Sequence, residues 1–184
     1  MRAPEFQTAR LRMRTLSECD QALFCRLYTD AESMRFIGRP LSRTGALAAF
    51  DATLQAIREE NGGPCFFAIV AKASRRAVGL CAIQPVVRAA QRAEIGIMLA
   101  PEGRGLRYGA EVVSGLATAA FRALPIDRLW VQYHPANMSA KRLFARLSFL
   151  PEPRARPRGV RRGQCIGVTQ RSAWGVTYLA TKRG

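Results

Sequence analysis

The chain has 184 residues (20.3 kDa) and 48% of them are hydrophobic, enough to bury a sizeable core in one domain spanning 1–184 and too apolar for a disordered tail. Its 29 Lys+Arg against 13 Asp+Glu leave a net charge of +16, almost all of it arginine, since the only lysines are Lys72, Lys141 and Lys182. Such a surface attracts polyanions, which makes an anionic ligand or a ribonucleoprotein partner a candidate contact; the alternative is a chain that uses arginine wherever a solvated cation suffices. The five cysteines, Cys19, Cys25, Cys65, Cys81 and Cys165, are odd in number and never in Cys-x-x-Cys spacing, which argues against a disulfide framework and a zinc knuckle. They read as reduced thiols, mostly in the core, and no metal is expected. The amino-terminal MRAPEFQTARLRMR lacks the apolar centre of a secretion signal, and the longest apolar runs are strand-sized, so a cytoplasmic protein without a membrane segment is expected.

Along the chain both hydrophobic periods occur. LRMRTL (11–16) alternates apolar with polar residues and predicts a half-buried strand, followed by Ser17 as N-cap of a helix reaching Tyr28. Ser42 or Thr44 starts a second helix through LAAFDATLQAIREE, which stops at Asn61-Gly62-Gly63. CFFAIVA (65–71) and AVGLCAIQPV (77–86), joined by the short polar link 72–76, read as a hairpin. EIGIMLA adds a third strand, AEVVSGLATAAFRAL a long amphipathic helix with Val112, Leu116 and Ala120 on its core side, RLWVQYH a strand and NMSAKRLFARL a helix. PEPRARPRGVRRGQ (151–164) is a basic, Pro-rich loop ahead of a closing strand near VTYLA. The order predicts an α/β fold with a mixed sheet.

Between the third strand and the long helix lies APEGRGLRYGAE, with Gly103, Gly105 and Gly109 set among Arg104 and Arg107. A helix N-terminus carries unpaired amides and a partial positive charge, so a glycine-bearing turn leading into it makes a socket for phosphate. The spacing misses Gly-x-Gly-x-x-Gly by one residue, and no Gly-Lys-Ser/Thr occurs, which argues against the common nucleotide folds. Taken alone, the same loop reads equally well as a surface turn that ends a strand.

Ala93-Glu94-Ile95, the loop Arg104-Gly105-Leu106-Arg107-Tyr108-Gly109, and Asn137 with Leu147-Ser148-Phe149 together resemble the GNAT superfamily of acyl-coenzyme A dependent N-acetyltransferases. TARLRMRTLSECD resembles the first strand of its RimJ/RimL-like branch, which modifies ribosomal-protein amino termini. The resemblance implies a mixed, mostly antiparallel central sheet flanked by helices and splayed between the central strands. It also implies acetyl-CoA as donor, with coenzyme A as product, and a primary amine on a small molecule or a protein N-terminus as acceptor. Three positions depart from the family pattern: Arg107 stands at a usual glycine, Asn-x-Ala-Ser appears as Asn137-Met138-Ser139-Ala140 with Ser148 replacing the glycine of Gly-Phe, and Phe144 stands at a frequent acid tyrosine.

By the same resemblance, coenzyme contacts fall on Ile97, Met98, Leu99, Arg104, Gly105, Leu106, Arg107, Tyr108, Gly109, Ala110 and Asn137; Lys141 and Arg142 either reach the coenzyme phosphates or are solvated cations on the outer face of their helix. The pantetheine arm lies along residues 97–100, and a backbone amide near Met98 or Leu99 steadies the oxyanion. Glu94 is the implied general base; as a residue it is also an ordinary strand-end glutamate for an ion pair with Arg92 or Arg128. Ser139 is the candidate acid, and equally a first-turn serine of its helix. His134, the lone histidine, is a second base candidate or a plain strand-exit residue before Pro135, and strand alternation lets at most one of Tyr133 and His134 enter the site. Asn137 reads as an N-cap and as a partner of pantetheine amides. Arg107 either obstructs the diphosphate or adds a guanidinium to it. Arg154, Arg156, Arg158, Arg161 and Arg162 form either an acceptor wall or an exposed loop; Asp30, Glu32 and Asp51 favour a polycationic acceptor only if they gather at the mouth. A catalytically weakened GNAT-fold binding module and a basic RNA-associated protein are the alternatives, and the protein is expected as a monomer or homodimer.

Overall fold

A computed structural model describes residues 3–59, 63–86, 91–152 and 163–174. The alternation in LRMRT makes strand β2 (Leu11–Thr15), with Leu11 and Met13 buried and Arg12 exposed, and a two-residue strand β1 (Phe6–Gln7) pairs with it. The chain then turns at Asp20, only 2% exposed, whose two carboxylate oxygens accept from the Arg14 guanidinium at 2.6 and 2.7 Å. A short 3-10 turn (Glu18–Asp20) leads into helix α1 (Gln21–Thr29). Helix α2 (Ala31–Met34), capped by the Asp30 carboxylate accepting from the Ser33 amide at 2.7 Å, intervenes where the sequence suggests only a link. Helix α3 (Arg43–Arg58) takes Ser42 as its cap, through a hydroxyl that accepts from the Gly45 amide at 3.0 Å. It ends at Arg58, short of the Asn61-Gly62-Gly63 signal.

The hairpin is as expected, β3 (Cys65–Ala71) and β4 (Ala77–Val86) pairing antiparallel through the 72–76 turn. Next come β5 (Arg92–Leu99), a 3-10 turn (Pro101–Gly103), α4 (Tyr108–Ala123), β6 (Arg128–Tyr133), α5 (Met138–Arg146), β7 (Leu150–Pro151) and β8 (Cys165–Gln170). Among the described residues β8 is the last strand; the closing strand expected near VTYLA (176–180) and residues 153–162 of the Arg-rich loop lie outside the described residues. Among the described residues eight strands form one sheet in the order β1-β2-β3-β4-β5-β6-β8-β7, antiparallel throughout except for the parallel β5–β6 pair, which α4 connects. This is the mixed, mostly antiparallel architecture the resemblance implies.

Each face of the sheet is covered by helices. On one, α4 buries Val112, Leu116 and Ala120, all at 0% exposure, against a cluster that includes Ile95, Leu129 and Val131. On the other, α1 and α3 bury Phe24, Phe50 and Leu54 over Ala68 and Leu80. Arg171, just past β8, donates to the carbonyls of Phe121, Leu124 and Ile126, placing a cation at the C-terminal end of α4 where the helix dipole favours one. The cysteines are less uniformly core than expected: Cys65 and Cys81 are buried, Cys25 and Cys165 half-buried, and Cys19 exposed. Among the described residues no helix is long and apolar enough to cross a membrane, and no cluster of metal-ligating side chains occurs.

Because Leu116 is wholly enclosed between α4 and the sheet, Leu116→Ala is expected to lower unfolding free energy by about 3 kcal/mol. Denaturant titration with an unchanged m-value checks this, and a loss below about 1 kcal/mol contradicts the packing described.

Candidate active site

The geometry of the site follows from hydrogen-bond parity in β5. The Ala100 amide donates to Val78 at 2.9 Å in register with the β4–β5 ladder, so Met98, Gly96 and Glu94 direct their backbone groups toward β4. The N–H and C=O of Ile97 and Leu99 therefore point the other way, toward β6. There the parallel ladder covers only Arg92↔Arg128, Ala93↔Leu129 and Glu94↔Trp130, although β5 runs on to Leu99 and β6 to Tyr133. Beyond Glu94 the strands part, and the backbone edge of Ile97 and Leu99 opens on the gap. Of the two positions suggested for an oxyanion donor, Leu99 is the one whose amide faces it; the Met98 amide belongs to the β4 ladder.

The gap leads to the start of α4. Gly103 is packed so tightly that an added Cβ would sit 2.8 Å from the Val78 carbonyl, which holds the turn against β4. Gly105 (φ +76) and Arg107 (φ +60, ψ 16) adopt left-handed backbone, and α4 begins immediately after. The amides of its cap and first three residues, on Arg107, Tyr108, Gly109 and Ala110, have no carbonyl within the helix to bond. At Gly109 a Cβ would lie in ordinary contact, 3.4 Å from the Leu143 side chain and 3.9 Å from that of Leu99, which places the helix start beside β5 and α5. Arg107 is exposed to solvent. Arg104 does not extend freely: its Nε donates to the Leu99 carbonyl at 3.1 Å and its Nη2 to the Ser33 hydroxyl at 2.8 Å, tying α2 to the end of β5. Leu106 is 48% exposed, and the Tyr108 ring lies under the Arg10 guanidinium. Exposed orphan amides, a positive helix end and two left-handed residues fit a diphosphate.

Glu94 sits where the ladder ends, on the sheet face covered by α1 and α3. Among its partners is Gln132, whose Nε2 donates to Oε1 at 3.0 Å. His134 continues the facing of Gln132, and its ring lies 5.7 Å from that of Phe36 in the segment after α2. The Ala136 amide donates to His134 Nδ1 at 3.2 Å, so the neutral imidazole carries its proton on Nε2. Tyr133 faces the opposite side, its ring 5.6 Å from Phe144, so of the two only His134 shares the face of Glu94. Burial, reinforced by Cys165, raises the Tyr133 phenol above its ordinary pKa and keeps it protonated near neutrality. Phe144 is buried between Tyr133 and Phe149 and supplies no hydroxyl. Asn137 caps α5, its Oδ1 accepting from the Ala140 amide at 3.0 Å, while Ser139 and Arg142 are exposed on the same helix. Asp30 and Glu32 lie at α2, whereas Asp51 is on α3 in a depression with Glu18 and Arg58.

Gln132, Ser33, Phe36 and Arg10 were not singled out by sequence. Alternation in RLWVQYH could have placed Gln132 and His134 on one face, but not beside Glu94, because the β5–β6 register is a long-range property.

Residues 10–150 match the model of an acetyltransferase (GNAT) domain. The chain belongs to the GNAT acetyltransferase family and is an N-acyltransferase by that membership. Solved structures agree on the fold. A GCN5-related N-acetyltransferase from Brucella melitensis is similar over 100% of this chain and 86% of its own, at 19% identity and a TM-score of 0.78. Mycobacterium smegmatis RimJ, in complex with CoA-disulfide, is similar over 94% and 90%, at 17% identity and a TM-score of 0.75. Spermidine N-acetyltransferase from Vibrio cholerae, in complex with CoA and spermine, is similar over 90% and 98%, at 17% identity and a TM-score of 0.74. No curated protein matches the sequence significantly.

A side chain at φ +60 costs roughly 1 to 2 kcal/mol relative to glycine, part of which glycine returns through its larger unfolded-state entropy. Arg107→Gly is accordingly expected to raise stability by up to about 1 kcal/mol and Arg107→Val to lower it, both read from thermal melts. A drop in melting temperature for Arg107→Gly contradicts the left-handed assignment.

Proposed function

We propose that the protein transfers an acetyl group from acetyl-CoA to a primary amine carried by a small molecule or by a protein or peptide amino terminus. The observation that carries this reading is the Ile97–Leu99 edge of β5, which meets no β6 ladder, leaves the Leu99 amide facing the gap and leads to the free amides at the start of α4. One continuous track thus offers backbone hydrogen bonds to an extended, amide-bearing chain and a positive helix end to a diphosphate, the two recognisable parts of coenzyme A. The coenzyme A in the RimJ and spermidine N-acetyltransferase structures supports the donor, and the spermine in the latter supports an amine acceptor.

In this reading Leu99 N–H donates to the thioester carbonyl oxygen and strengthens that bond as the oxygen becomes an oxyanion. Glu94 takes the proton from the attacking amine, directly or through water, with Gln132 holding its Oε1. The new N–C bond forms as the C–S bond breaks, and Ser139 donates the proton that the departing thiolate needs. His134, with Nδ1 already accepting, is better suited to hold an acceptor through Nε2–H than to act as the base. Asn137 and Arg142 on α5 flank the coenzyme side. The excess of 16 positive charges supports docking on an anionic partner such as the ribosome.

The test joins a binding and a turnover measurement. Acetyl-CoA is expected to raise the melting temperature, and thiol release is expected with an amine panel that includes polyamines and amino-terminal peptides. Glu94→Gln should cut kcat roughly a hundredfold at neutral pH while leaving the acetyl-CoA shift intact. Unaltered turnover removes Glu94 from the role, and no thermal shift with acetyl-CoA overturns the reading as a whole.

A further inference from the structure

The segment Thr8–Arg10, between β1 and β2, reaches across to the diphosphate loop. Arg10 Nη1 donates to the Leu106 carbonyl at 3.0 Å, and the same guanidinium lies 4.8 Å over the Tyr108 ring. Leu106 and Tyr108 are the two neighbours of Arg107, the loop residue whose left-handed backbone would suit glycine. One side chain therefore grips both sides of the strained position.

The second half of the contact concerns Glu111, in the first turn of α4. A carboxylate there suits the helix dipole but repels a diphosphate arriving at the same amides. Its Oε1 accepts from the Thr8 hydroxyl at 2.5 Å and the Arg10 amide at 2.7 Å, and its Oε2 accepts from Arg10 Nε at 2.8 Å. Burial works to raise its pKa, and the hydrogen bonds from Thr8 and Arg10 outweigh that and lower it, so it is ionised and paired at neutral pH. The anchor itself is held from below: Lys72 in the β3–β4 turn donates through Nζ to the Thr8 carbonyl at 2.7 Å and through its amide to the Arg10 carbonyl at 2.9 Å.

We propose that Arg10 is a positioning residue for the coenzyme: it holds the loop around Arg107 in the left-handed turn that presents the α4 amides, and it neutralises Glu111 beside them. The role rests on the acetyltransferase reading above and extends it to a residue nearly a hundred positions from the loop in sequence. Because the hold replaces what glycine would give for nothing, Arg10 matters most while residue 107 carries a side chain.

The test is steady-state kinetics of Arg10→Ala in the unaltered and Arg107→Gly backgrounds. Losing a charge-assisted two-point hold is expected to raise the KM for acetyl-CoA about tenfold with kcat within about twofold, and to raise it no more than about threefold when residue 107 is glycine. Arg10→Lys, which keeps the cation without the two-point geometry, should also raise KM. An unchanged KM in both Arg10 variants, or an equal factor in the two backgrounds, overturns the role. If the unaltered protein shows no thermal shift with acetyl-CoA, the acetyltransferase reading falls instead; a normal shift with an unmoved KM in the variants removes only Arg10.

Discussion

Everything functional in this fold depends on the point at which β5 and β6 stop pairing. Backbone N–H and C=O groups inside a protein need partners, and a central strand normally finds them on both sides. Here the ladder ends at Glu94↔Trp130, and the outward-facing groups further along β5, on Ile97 and Leu99, meet no β6 ladder. The consequences converge on that spot. Glu94 is held at the fork by Gln132, the Leu99 carbonyl accepts from Arg104, and the helix that follows β5 starts beside Leu99, at Gly109.

Backbone shape, more than residue identity, is what the loop preserves. Arg107 and Ser148 both occupy positions where the family pattern carries glycine, and both have left-handed backbone, at φ +60 and φ +59. The turns survive the loss of the residue that makes them inexpensive, at roughly 1 to 2 kcal/mol each by the usual steric cost. That is affordable only where neighbouring contacts fix the conformation, as Arg10 does on either side of Arg107. Phe144 tells a different story: at the family's frequent tyrosine position it is packed between two aromatic rings, so the site presents a proton donor from elsewhere or none.

Much of this was readable from the chain. The alternation of β2, the strand-sized apolar runs of β3 through β6 and the amphipathic pattern of α4 are local signals, and each of these elements lies within a few residues of its expected place. Asn137 and Ser42 announced their helices because a cap depends on residues only three apart. What could not be read is non-local. β1 has two residues, α2 has four, and β8 went unread because CIGVTQ carries glycine and threonine in a weak pattern. The pairing of Glu94 with Gln132 needs the parallel register, and the grip of Arg10 on Leu106 and Glu111 needs the sheet to bring β2 beside α4.

The most direct test of the central claim is residue-resolved amide hydrogen exchange along β5, with and without acetyl-CoA. Ile97 and Leu99 are expected to exchange quickly in the free protein and to become protected when the coenzyme is added, while Gly96 and Met98, bonded to β4, exchange slowly in both states. Protection of Leu99 already present without coenzyme, or unaltered by it, would contradict an open edge that the coenzyme completes.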